Sequence, residues 1–270
     1  MMQWLSLVVA MLVTGAVGGI LAGLLGIGGG IVIVPALDAA LGVLGVDAAV
    51  RMHVAVATSL ATIVPTSLSS AAAHYRRRAV DLAVVRYWSP FILLGAVLGT
   101  VIASQVTGRV LAGLFAAVAL GVAVNMMRPS SGRVLWSDVP RGVAGPLIPA
   151  SIGVVSTLIG IGGGSMSVPA MTLMGRPIHK AVGTSALLGL VIAVPAAIGY
   201  VVAGWRVASL PSGNLGYVSL VGFAVIAPAT VVFAPLGARF AHALSRRRLS
   251  LLFGGFLLLV AVRMAMRAFA

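Results

Sequence analysis

Gly26-Ile27-Gly28-Gly29-Gly30-Ile31-Val32-Ile33-Val34-Pro35 returns in the second half of the chain as Gly160-Ile161-Gly162-Gly163-Gly164-Ser165-Met166-Ser167-Val168-Pro169. Each copy puts three consecutive glycines inside an apolar stretch. A glycine weakens a helix by roughly 1 kcal/mol relative to alanine, and an unwound segment exposes backbone N–H and C=O groups that lipid cannot satisfy. One such run is explained equally by tight helix packing, by a turn, or by a ligand that needs close access to the main chain. Two runs at matching places favour the ligand, because paired interruptions in two repeats are the best sequence pointer to a transport site.

The repeat extends outward from the glycines. Val34-Pro35-Ala36 matches Val168-Pro169-Ala170, and His53-x-Ala55-x-x-Thr58-Ser59 matches His179-x-Ala181-x-x-Thr184-Ser185. Towards the ends, Leu98-Gly99 and Phe115 match Leu236-Gly237 and Phe253. Such a repeat divides the chain into a first transmembrane repeat at 1–127, a polar linker at 128–141 rich in turn formers, and a second transmembrane repeat at 142–270.

The solvent for this surface is lipid. Hydrophobic residues make up 60% of the 270, charged residues only 8%, and the mean hydropathy is +1.15, far from the composition of a soluble domain. Apolar runs fall roughly at 4–25, 52–73, 87–104, 110–127, 143–160, 181–203, 215–238 and 249–262, against the ~20 residues a spanning helix requires. The first run opens Met1-Met2-Gln3-Trp4 without a basic leader and reads as a helix of the mature protein rather than a cleaved signal peptide. The expected fold class is therefore an all-α integral membrane protein with two homologous multi-helix repeats and discontinuous helices at the glycine breaks. A net charge of +14 would suggest nucleic acid in a soluble protein. Here the basic residues cluster between apolar runs, at Arg76-Arg77-Arg78 and Arg246-Arg247-Arg248, as cytoplasmic loops do, so a lipid bilayer and no nucleic acid is the expected partner. There is no cysteine, so disulfides, thiolate metal sites and cysteine nucleophiles are excluded.

Basic residues also discriminate between topologies. If each glycine run merely kinks a helix, each half crosses four times, and the 18 Lys and Arg residues divide 10 to 8 between the two sides. If each run turns the chain back, each half makes five passes, the halves are inverted, and the division is 13 to 5. The positive-inside rule favours the second, with both termini outside. The returning segments containing Pro35 and Pro169 then either span or re-enter.

Gly28, Gly29, Gly30, Gly162, Gly163 and Gly164 are the first candidates for anion binding through backbone N–H groups and the following helix N-terminus. Thr58, Ser59, Thr184, Ser185 and Ser165 offer hydroxyl donors without charge, although such groups in membrane helices also back-bond to carbonyls or join helices. His53 and His179 each fall just before a predicted helix near a membrane boundary, where they bind or relay a proton or cap the helix. Lys180, the only lysine, either attracts anions or follows the positive-inside bias. With Asp38, Asp47, Asp81 and Asp138 as the only acids, and Asp38 alone placed for depth, the balance favours an anion over a cation. No metal-ligand spacing or HExxH is present, no cofactor is expected, and Ser165 followed by Met166-Ser167 breaks the nucleophile-elbow pattern of a serine hydrolase. A non-transporting scaffold and an intramembrane hydrolase are the competing classes; within transport, a carboxylate or metal-ion permease is the alternative.

The doubled Gly-x-Gly-Gly-Gly-x-x-x-Val-Pro motif, followed by Ala-x-x-Thr-Ser at 55–59 and 181–185, resembles the TauE/SafE sulfite exporter family over both halves. The resemblance implies a prokaryotic plasma-membrane transporter moving sulfite, sulfonates or related organosulfur anions, usually outward. The residues leave the energy source open between a coupling proton or sodium ion and facilitated diffusion down the anion's own gradient. It also implies that Gly28 to Gly30, Pro35, Gly162 to Gly164 and Pro169 line or gate the pore, and that Asp81 is the acidic residue usual after the basic loop.

Overall fold

The computed structural model describes residues 2–25, 29–127, 142–240 and 246–269. Gly26, Ile27 and Gly28, and the expected linker at 128–141, lie outside them. Among the described residues ten helices follow in order: α1 (Met2–Leu25), α2 (Gly30–Val43), α3 (Ala48–Arg76), α4 (Leu82–Gln105), α5 (Gly108–Met127), α6 (Ala144–Ile159), α7 (Gly164–Leu173), α8 (Ile178–Gly204), α9 (Leu220–Phe240) and α10 (Arg246–Phe269).

Five of these, α3, α4, α5, α8 and α9, are long and apolar enough to cross a membrane. By contrast α2 has 14 residues and α7 has 10, roughly 21 and 15 Å at 1.5 Å per residue, against a hydrocarbon core of about 30 Å. Neither crosses alone, so the segments after the glycine runs are half-helices. Pro35 and Pro169 sit inside them. Each lacks an N–H, which leaves the carbonyls of Ile31 and Ser165, four residues earlier, without their helical partner.

One stretch departs from the sequence reading. The apolar run at 215–238 is not one helix: around its start the chain forms a hairpin of β1 (Asn214–Leu215) and β2 (Val218–Ser219), with Asn214 opposite Ser219 and Leu215 opposite Val218. Gly213 and Gly216 take positive φ there, a conformation open to glycine and costly to most other residues. They turn the chain before α9 begins.

Side chains sort as lipid demands. Leu93, Leu94, Val97, Leu98, Val101 and Ile102 of α4 are exposed, while Trp88, Phe115, Ile31, Met52, Leu60 and Ile63 are fully enclosed. Since the exterior is as apolar as the core, burial alone does not hold the helices together; close packing and internal hydrogen bonds do. Accordingly α1 runs along α9, α6 along α4, α5 along α10 and α3 along α8. In the first pair a methyl group on Gly19 would come within 2.6 Å of Thr230 O, and one on Gly237 would strike Ile20 O. In the second, a methyl on Gly153 would strike Ile92 O, and one on Gly99 would lie 2.8 Å from Val154 O. Both crossings therefore depend on glycine for backbone-to-backbone approach. Along α3 and α8 the contacts run in opposite senses: His74 meets Gly183 and Ser67 meets Gly189, so these two helices are antiparallel.

Candidate substrate site

Both half-helices begin in the same way. Gly29 and Gly163 precede α2 and α7 in the left-handed conformation, at φ 72 and 73, which strains any residue carrying a Cβ. The Gly29 carbonyl accepts from Val32 N and Ile33 N, and the Gly163 carbonyl from Met166 N and Ser167 N. A third left-handed glycine, Gly160, ends α6 at φ 71, and the tight turn to α7 is closed by Gly163 N–H on Ile161 O.

The two breaks touch. A Cβ on Gly30 would collide with Gly160 O and lie 3.1 Å from Ile161 Cα. Ser59 Oγ, on α3, donates to Gly160 O at 2.8 Å. A hydroxyl from one half thus satisfies a carbonyl that the other half's unwound backbone leaves open. Gly162 packs on Ile63, and Gly163 lies beside Ile192 and the Ser156 hydroxyl, whose oxygen is 3.5 Å from a Cβ position on Gly163. Ser156, Thr157, Ser165 and Ser167 are buried, and their hydroxyl oxygens have no hydrogen-bond partner among the described residues.

Other candidate hydroxyls are held elsewhere. Thr58 Oγ1 accepts from Ser219 N at 2.9 Å, and Thr184 Oγ1 accepts from Asp81 N at 2.8 Å. Each anchors the residue that leads into the next helix, α9 or α4. Asp81 in turn caps α4 by accepting from Ala83 N at 3.1 Å and Val84 N at 3.3 Å, the usual work of an aspartate at a helix start. Ser185 Oγ back-bonds to Val182 O at 2.9 Å and faces a cavity of about 10 Å³ whose lining also includes Gly162, Thr66, Ser67 and Ser70. Thr66, Ser67, Ser70 and Ser156 carry no repeat signal: the second half has Ile192, Ala193 and Ala196 where the first has Thr66, Ser67 and Ser70, and the first has Ala22 where the second has Ser156. A hydroxyl stripe along an otherwise apolar α3 was the available signal.

The two histidines part company. His53 lies inside the second turn of α3, not ahead of the helix, and is buried. Its Nε2 sits 3.1 Å from Ala103 O and 3.2 Å from Val106 O at the end of α4, and its ring stacks on Tyr217 at 5.1 Å. His179 and Lys180 are exposed in the first turn of α8. Asp38 is buried at 3% exposure, with Arg51 Nε at 3.0 Å from Oδ1 and Arg267 Nε at 3.6 Å from Oδ2. It ties α2, the half-helix that begins at Gly30, to α3 and α10. Pro35 and Pro169 lie on the half-helices themselves. Of the sequence candidates, the structure brings Gly30, Ser59 and the 160–164 break together; Gly28 lies outside the described residues. No group of three His, Asp, Glu or Cys side chains able to hold a metal occurs among the described residues.

A family model described as sulfite exporter TauE/SafE matches residues 11–264. A probable membrane transporter protein of Haemophilus influenzae is 31% identical over 256 residues, covering 95% of this chain and 97% of its own. The probable membrane transporter protein YunE of Bacillus subtilis is 28% identical over 75% of this chain and 80% of its own, and a probable membrane transporter protein of Methanocaldococcus jannaschii is 24% identical over 94% of each. No solved structure matches the chain significantly.

Proposed function

The chain belongs to the sulfite exporter TauE/SafE family, a multi-pass membrane transporter and not an enzyme, and we propose that it exports small sulfur-containing anions by alternating access. The observation that carries the proposal is the contact between the two breaks at Gly30 and Gly160, with Ser59 bridging them. Glycine backbone and hydroxyls there can donate to an oxyanion without a carboxylate to repel it, and half-helix N-termini at α2 and α7 add positive dipole ends. Gly28 to Gly30, Gly162 to Gly164, Ser59, Ser165 and Ser185 are the binding groups in this reading. Pro35 and Pro169 are points where the half-helices flex. His53 is the candidate for a coupling proton, and Asp38 acts on gating through its arginines.

The same reading makes the halves inverted repeats, at 1–127 and 142–270. Exchanging α1–α5 for α6–α10 turns the α1–α9 pair into α6–α4, Gly19 on Thr230 into Gly153 on Ile92, and the Thr58–Ser219 bond into Thr184–Asp81. The antiparallel course of α3 and α8 supports this reading. Motion of one glycine hairpin against the other would open the site first to one face and then to the opposite one. The basic-rich end is assigned to the cytoplasm and the membrane to the prokaryotic plasma membrane, in keeping with relatives from bacteria and an archaeon.

The test is uptake and efflux of radiolabelled sulfite, taurine and sulfoacetate in proteoliposomes, with acetate and a divalent cation as controls. Saturable flux of a sulfur anion supports the proposal; flux of a control alone overturns the substrate assignment and moves the chain to the carboxylate or metal-ion reading.

A further inference from the structure

The cavity beside Gly162 takes most of its hydroxyls from α3, at Thr66, Ser67 and Ser70, with Ser185 contributed by α8. Ser67 is 4% exposed, yet its hydroxyl makes no hydrogen bond to the described residues. Ser70, one turn further along α3, has none either. Neighbouring Thr66 is committed: its Oγ1 donates to Thr62 O at 2.8 Å and lies 2.8 Å from Thr230 Oγ1. Among the described residues, Ser67 and Ser70 therefore line the cavity with hydroxyls that no other group engages, and a buried hydroxyl such as that of Ser67 costs free energy when it lacks a partner. Gly189 keeps the room open, since a methyl group there would lie 3.0 Å from Ser67 Oγ and 2.8 Å from Gly162 O.

Direction follows from α3 itself. Ser59 meets the glycine break, Ser67 and Ser70 follow towards the helix end, and His74 lies one turn beyond Ser70, about 5.4 Å along the axis. His74 packs against the first turns of α8, where His179 and Lys180 are exposed, close to exposed Arg76, Arg77 and Arg78. The corresponding face of α8 carries Leu188, Ile192, Ala193 and Ala196, all buried. One half thus offers a polar track from the basic end to the break, and the other an apolar seal.

We infer that Ser67 and Ser70, with Ser185 and the Gly162 backbone, form the binding station for a small oxyanion between the basic end and the glycine break. This rests on the anion-transport reading and deepens it, because it makes the two access routes chemically unequal. Arginine, lysine and histidine at the mouth raise the local anion concentration. The hydroxyls then replace its hydration shell without fixed charge, so that the anion is held weakly enough to move on. A volume of about 10 Å³ admits about one water, so this conformation is closed, and Gly162, on the break, is the wall that must shift.

The test combines sulfite flux in proteoliposomes with thiol labelling. The double variant Ser67→Ala/Ser70→Ala should raise the KM for sulfite about ten-fold with little change in maximal rate, while Ser104→Ala, an exposed back-bonded serine, leaves it unchanged. Because the chain has no cysteine, Ser67→Cys offers a single thiol, whose reaction with a small maleimide in detergent should slow when sulfoacetate is added. Wild-type sulfite flux with an unchanged KM in the double variant and no protection of the thiol overturns the inference and leaves the transport proposal intact. Protection by acetate but not sulfoacetate, with acetate flux alone, keeps the anion station and overturns the sulfur assignment. Loss of a sodium requirement in the double variant, with the anion KM unaltered, overturns the ligand class in favour of a cation.

Discussion

Ser59 donates its hydroxyl hydrogen to the Gly160 carbonyl oxygen at 2.8 Å, across 101 residues of chain, from α3 to the break that follows α6. Both atoms are buried, and the carbonyl belongs to backbone that no helix satisfies. Ser59→Ala removes the donor and leaves the carbonyl unpaired, at a cost of about 1–3 kcal/mol. Thermal unfolding in detergent should show the loss, and sulfite flux should fall with it. An unchanged melting temperature would mean that the two breaks are not fastened to each other through this bond.

Gly30 and Gly163 test the breaks for different reasons. A Cβ on Gly30 meets the opposite break, so Gly30→Leu should abolish transport while the protein still inserts. Gly163 is constrained by conformation, at φ 73, and by Ile192 against its Cβ position. Gly163→Ala should cost about 1–2 kcal/mol from left-handed strain alone. Monodisperse elution with no flux is the expected outcome for both; normal flux in both would remove the breaks from the transport path.

Thr58 and Thr184 separate anchoring from binding. Each accepts a backbone N–H from the residue leading into a helix of the other half. Replacement by valine keeps the shape and strips the acceptor, so Thr58→Val and Thr184→Val should each lower stability by about 1–3 kcal/mol while the KM for the transported anion stays constant. A KM raised several-fold without loss of stability would return these hydroxyls to the substrate site.

Much of this arrangement was legible in the sequence, for a physical reason: lipid forbids loose backbone, so a glycine triplet in an apolar run stands out, and its copy locates the partner. The half-helices follow from the short distance between Gly30 and the Gly45 turn. What pairing between halves concealed was inequality. His53 and His179 match in sequence, yet one is buried against the end of α4 and the other lies at the surface. Ser67 and Ser70 have no hydroxyl counterparts in the second half, so the repeat does not mark them. Asp38 was visible as a deep acid, but its arginines come from α3 and α10, and nothing local in the sequence points to Arg267. The hairpin before α9 was masked by the apolar character of Leu215 and Val218, although Gly213 and Gly216 marked the turn.

Asp38 holds two arginines at one end of the bundle, at 3.0 and 3.6 Å. Asp38→Asn removes the charge they share and leaves both partly buried guanidinium groups facing each other, which should destabilise the protein by about 3 kcal/mol. The compensating variant Asp38→Asn/Arg267→Leu should recover part of that loss, and their melting temperatures compared in one detergent measure the coupling. Equal stability of single and double variants would show that Arg267 does not depend on Asp38.

Membrane orientation is tested at two surface points that the proposed inverted arrangement puts on opposite faces. Arg77 follows α3, and Ser212 lies in the connection between α8 and β1; both are exposed. Because α3 and α8 are antiparallel, the end of one lies at the opposite face from the end of the other. The basic cluster at Arg76 to Arg78 assigns its face to the cytoplasm. With no native cysteine to compete, a membrane-impermeant thiol reagent applied to intact cells should label Ser212→Cys and spare Arg77→Cys until the membrane is broken. Labelling of Arg77→Cys alone would reverse the orientation and make the hydroxyl track of α3 an outward route. Labelling of both from outside would put α3 and α8 ends on one face, and the inverted repeat would fall with it.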